Sequence, residues 1–132
     1  MKKLLIVSVV SMFAFVNTAF SSSSAEVKTA LFAARETLFT MLKNADKRGP
    51  EQQKQVKETA DKVTKLINEL TVTGKDAQIS EMKKIWADFT KVRDEKVVPY
   101  ILSGKMQEAE SLANGEQKTK FMNVLKLCDE IK

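Results

Sequence analysis

A chain of 132 residues has room for a single core and not for a sensor joined to a separate output module. Its 22 basic residues outnumber its 17 acidic ones, but the lysines alternate with Glu and Asp, which makes a solvated surface and argues against a nucleic-acid partner. No histidine occurs, which counts against haem held by an axial imidazole, di-iron sites built on Glu-x-x-His, and imidazole acid–base or triad chemistry; no enzyme activity, cofactor or metal is expected.

Met1, Lys2 and Lys3 precede an apolar run from Leu4 to Val16 and a small polar tract ending at Ala25, which is the layout of a bacterial secretory leader. The run falls short of the roughly 20 residues a helix needs to cross a bilayer, so cleavage is expected over anchoring. Ser23 and Ala25 supply small residues at −3 and −1, which makes 1–25 the signal peptide and 26–132 the folded domain; a cut after Ala19 is the alternative, with Asn17 at −3. The implied location is the periplasm. An uncleaved inner-membrane anchor over residues 4–20 is the competing expectation.

Past the leader, no sustained two-residue alternation of β-branched residues argues for strands. Four apolar stripes with helical spacing appear instead. The first runs Val27, Leu31, Ala34, Leu38, Met41, Ala45, flanked by Phe32, Phe39 and Leu42, on a helix ending near Lys47. Arg48-Gly49-Pro50 then supplies a cation, a flexible residue and a proline suited to a first helical turn. The second helix, from Glu51 to Thr71, carries Val56, Ala60, Val63, Ile67 and Leu70. Thr73-Gly74-Lys75 makes the next turn and Asp76 suits the N-cap of a third helix. That helix holds Ile79, Met82, Trp86, Phe89, Val97, Tyr100 and Ile101 up to Gly104, with a kink expected near Glu95 to Pro99. The fourth, from Lys105, holds Met106, Ala109, Ala113, Phe121, Val124, Cys128 and Ile131, interrupted at Asn114-Gly115. Short turns between long amphipathic helices imply an all-α, antiparallel up-down-up-down four-helix bundle.

The run Trp86-Ala87-Asp88-Phe89, then Arg93-Asp94, Ile101, Gly104, Glu108-Ala109, Leu112 and the ending from Leu125 to Ile131 resembles the four-helix-bundle ligand-binding domain of methyl-accepting chemotaxis proteins. The similarity covers about 45 residues of the second half. It implies a periplasmic, dimeric sensor bundle; the sequence printed here carries no HAMP-type linker or cytoplasmic coiled coil, so the resemblance implies a sensor-like bundle that binds a small molecule or a separate membrane receptor. A homodimer is expected by the same resemblance, through the row Phe32, Phe39 and Leu42.

Only three of the basic residues are arginines. Arg93 stands on the stripe Trp86, Phe89, Arg93, Val97, where a guanidinium within the core needs an anionic partner, either an internal carboxylate or one on a ligand; the alternative is that it snorkels to solvent while Val92 takes the core position. Arg35 flanks the first stripe beside Ala34. Trp86 and Tyr100 are core aromatics that would also stack on a ligand. Arg93, Trp86, Tyr100 and Arg35 are the candidate ligand-binding residues. Cys128, the lone cysteine, reads as a buried thiol. A second function class remains open: a chaperone- or adaptor-like interaction module working through an exposed apolar helix face.

Overall fold

The computed structural model describes residues 22–132, so the expected leader lies outside the described residues except for its last four. The described residues are all-helical. Helix α1 (Ser24–Lys43) opens on a capping box, in which the Glu26 N–H donates to Ser23 Oγ while the Ser23 N–H donates back to the Glu26 carboxylate. It ends at Lys43, earlier than the stripe implies, because Asn44 turns extended and Arg48 folds back to donate to the carbonyls of Met41 (2.7 Å) and Leu42 (3.0 Å). These are last-turn acceptors that have no partner within the helix, and a cation suits that end of the dipole. Ala45 therefore falls beyond the helix and is exposed.

Pro50 starts α2 (Pro50–Asn68) as its first residue, where its missing N–H costs nothing. At the start of α3 (Asp76–Val92) Lys75 occupies the N-cap position, and Asp76, expected there, is the first helical residue; its carboxylate still faces the positive end of the helix. The expected kink takes the form of a π-helical turn, Arg93–Val97, which leads into the short α4 (Val98–Leu102). Pro99 sits in the first turn of α4, so the wider turn before it absorbs the bond that the proline cannot make. Helix α5 (Met106–Asn114) and α6 (Glu116–Ile131) are separated at Gly115, as the Asn-Gly pair implies. A Cβ on Gly115 would lie 2.7 Å from the Ser111 carbonyl oxygen, so the break is built for glycine.

Helix α1 packs on α2 and α6, α2 on α3, and α3 on α6. Their inward faces form two apolar clusters. One gathers Val27, Leu31, Val63, Ile67, Met82, Trp86, Phe89, Phe121, Cys128 and their neighbours; the other gathers Leu38, Met41, Leu42, Val56, Val97, Ile101, Ala109 and Ala113. At four places where the chain passes from one cluster to the other the changeover is marked by a polar side chain. Thr37 lies between Ala34 and Leu38, Thr59 between Val56 and Ala60, Arg93 between Phe89 and Val97, and Gln117 between Ala113 and Phe121.

Candidate functional site

Arg93 and Gln117 are the buried polar residues among those described, at 5% and 2% exposure. Both belong to the changeover layer, and so does the Thr37–Thr59 hydroxyl pair, 2.9 Å apart. The layer differs from a plain bundle seam in that each helical face carries one hydrogen-bonding group at the same level.

Arg93 is in the core, which settles the two readings of its position; Val92 is half-buried beside it. Its Nε and Nη2 both donate to Asp94 Oδ1, at 2.9 and 2.8 Å, and Nη1 approaches the Val56 carbonyl at 3.5 Å. The required anion is thus the next residue in the chain, whose own carboxylate reaches solvent. A guanidinium partnered in this way is neutralised within its own π turn, touches α2 through the Val56 carbonyl, and leaves no unmet charge for a ligand.

Trp86 stacks on Phe89, centroids 4.8 Å apart and planes 11° from parallel, and its Nε1 donates to Thr64 Oγ1 at 3.1 Å. Every polar handle of the indole is used. A surface groove of ≈ 280 Å³ between α2 and α3 runs past it, lined by Thr64, Asn68, Lys83 and Thr90 among others. Tyr100 is half-buried against the second cluster, with the Lys105 ammonium 6.0 Å from its ring centroid. The structure therefore keeps Trp86 and Tyr100 with different clusters and does not bring the four sequence candidates into one site.

Arg35 has the most telling surroundings. It is exposed on α1, with Cζ 4.2 Å above the Phe39 ring and 5.9 Å from that of Phe121. Beneath it lies a cavity of ≈ 20 Å³ lined by Leu38, Phe39, Phe89, Ala113, Gln117 and Phe121, with Lys118 on its wall. That volume holds about one water-sized group. Gln117 donates through Nε2 to the Phe89 carbonyl at 3.0 Å, while its Oε1 is buried without a partner, alone in this among the described side chains. The Phe89 carbonyl also accepts the Arg93 N–H, so the Gln117 amide shares that acceptor, while its own carbonyl oxygen stays unmet at appreciable cost. Outside the cavity, a shallow shelf on α1 of ≈ 390 Å³ continues over Phe32, Arg35, Glu36, Phe39 and Lys43.

Gln117 was not among the sequence candidates. The signal was present: Ala113, Gln117, Phe121 step by four, so the amide occupies a core position on the fourth stripe. Of the expected dimer row, Leu42 is in the core, Phe39 half-buried and only Phe32 exposed, edge-on to Phe121 at 5.6 Å.

Cys128 is fully buried, and removal from water pushes its thiol up to about 11. Ion pairs decorate the rim: Asp129, bonded by Lys28 at 2.8 Å, and Asp88, bonded by Lys120 at 2.9 Å, both titrate below the usual carboxylate range for that reason. Among the described residues, no group of acidic or thiol side chains is arranged to hold a metal ion, and no helix is long and apolar enough to cross a membrane.

Comparison of the chain with protein-family models, with curated proteins and with solved structures gave no match.

Proposed function

We propose that this chain is an exported, sensor-like four-helix bundle, up-down-up-down in helix order, that binds a small molecule or a receptor partner in the periplasm and catalyses nothing. The antiparallel order is supported by the short connections and by Ser22, at the start of α1, pairing with Leu70 just past the end of α2. The resemblance to chemoreceptor ligand-binding domains supports the sensor reading, and the leader-like first residues support the location.

The observation that carries the ligand reading is the unmet Gln117 Oε1 at the bottom of the Arg35 cleft. An acceptor there asks for a donor from the ligand, an N–H or O–H small enough for the cavity. Arg35 and Lys118 at the mouth, and Lys43 on the shelf, ask for negative charge further out. The ligand class is therefore a compact organic anion that carries its own hydrogen-bond donor and an apolar edge to lie on Phe39 and Phe121. A thermal-shift screen of the exported protein against such metabolites tests it. Binding at a hundred times Kd raises stability by about 2.7 kcal/mol, and the rise disappears in Gln117→Leu and weakens in Arg35→Gln. A screen in which no anion raises Tm, or in which Gln117→Leu responds like the parent, removes the reading.

A second reading, an adaptor or a homodimer, has one observation in its favour: Phe32 and Met122 are 51% and 52% exposed. Sedimentation of the parent and of Phe32→Ser separates it from the first, because a self-associating face loses mass on that substitution.

A further inference from the structure

The first described residues are in use by the fold. Ser22 donates its N–H to the Glu69 carbonyl at 3.3 Å and its hydroxyl to the Leu66 carbonyl, pairing beside Leu70. These acceptors lie at the C-terminal end of α2, where the dipole is negative; the Leu66 carbonyl also accepts the Glu69 N–H at 3.2 Å and the Glu69 carbonyl the Thr71 hydroxyl at 3.3 Å, so Ser22 adds a second donor to each. Ser23 then closes the capping box with Glu26, and Ser24 and Ala25 are the first two residues of α1.

A cut after Ala25 would remove all of these contacts. It would also leave a new ammonium at Glu26, inside the first turn of α1, where the positive end of the helix opposes a cation. A cut between Ser21 and Ser22 removes none of them. It satisfies the small-residue rule with Ala19 at −3 and Ser21 at −1, whereas the cut after Ala19 puts Asn17 at −3. It also turns the Ser22 nitrogen into an ammonium that already points at a carbonyl on the negative end of α2, a charge-assisted bond in place of a neutral one.

We infer that the leader is removed between Ser21 and Ser22, so that the new α-amino group caps the C-terminal end of α2. The inference rests on reading residues 1–21 as a leader. The step is hydrolysis by an export peptidase: water adds across the Ser21–Ser22 amide, Ser21 leaves as a carboxylate, and the Ser22 nitrogen takes up the protons.

The test uses the full chain, exported from a bacterial host and analysed by intact mass and N-terminal sequencing. A mature start at Ser22 is expected. A start at Glu26 or Phe20 overturns the inference while leaving the leader in place; an uncut, membrane-bound chain overturns both. Two variants add a readout that does not depend on folding. Ser21→Leu should abolish the Ser22 start, and Ala25→Leu should leave processing unchanged; loss of processing in Ala25→Leu would contradict the assignment.

Discussion

At the end of the molecule that holds Trp86, long uninterrupted stretches of helix meet over sixteen buried residues that include Trp86, Phe89, Phe121 and Met82. At the end that holds Pro99, the second half of the chain contributes a π turn, a five-residue helix and a nine-residue helix. The core there has eight residues, four of them Val or Ala. Irregular backbone has been placed where there is less apolar surface to bury, and the polar layer lies at the junction. Local stability follows buried apolar contact, so the two ends should open at different free energies, with the polar layer at the boundary between them.

The comparison is broken most directly by truncation on each side. Trp86→Ala removes an indole, its stack on Phe89 and the Thr64 bond, and should cost about 4 kcal/mol by urea denaturation, against about 2 for Ile101→Ala at the other end. Equal losses would mean that the ends are equally packed. Next in size, Gly115→Ala forces a Cβ against the Ser111 carbonyl and should cost about 1–2 kcal/mol; a neutral result would show that the break before α6 can shift.

Gln117→Leu is expected to run the other way. It deletes an unmet buried acceptor, and the Phe89 carbonyl keeps its backbone partner, so stability should rise by about 1 kcal/mol as ligand response is lost. A clear destabilisation would mean that the amide is structural. The smallest effects are those of pH. The Cys128 thiol titrates higher folded than unfolded, so between about pH 8.5 and about 11 the unfolded chain releases a proton that the folded chain keeps. Stability is full below that window and declines as pH rises through it, a slope that Cys128→Ala should remove. Asp88 and Asp129 titrate lower folded than unfolded; their contribution is present above about pH 3.9 and fades as pH falls.

Periodicity made the helices legible, since each buried stripe is spelled in threes and fours from Val27 to Ile131, and turn chemistry placed Pro50 and Gly115. What it missed were ends set by long-range partners. The Arg48 side chain stops α1 at Lys43 by bonding carbonyls six and seven residues back, and no local spacing encodes that. Arg93 drew attention because charge on a stripe is conspicuous, yet its neighbour Asp94 answers it. Gln117 is neutral and passed unnoticed, although an unmet amide shows only when the partners around it can be counted. Arg35 alone of the four sequence candidates borders that amide's cavity.

A titration followed by amide and side-chain NMR tests the central claim, that the polar layer beneath Arg35 is the ligand site. With a donor-bearing organic anion that raises Tm, the Gln117 side-chain amide and the Arg35 Nε–H should move first and saturate together, while the Trp86 indole N–H stays in place. Shifts centred on the Trp86 groove, with Gln117 unmoved, would contradict it.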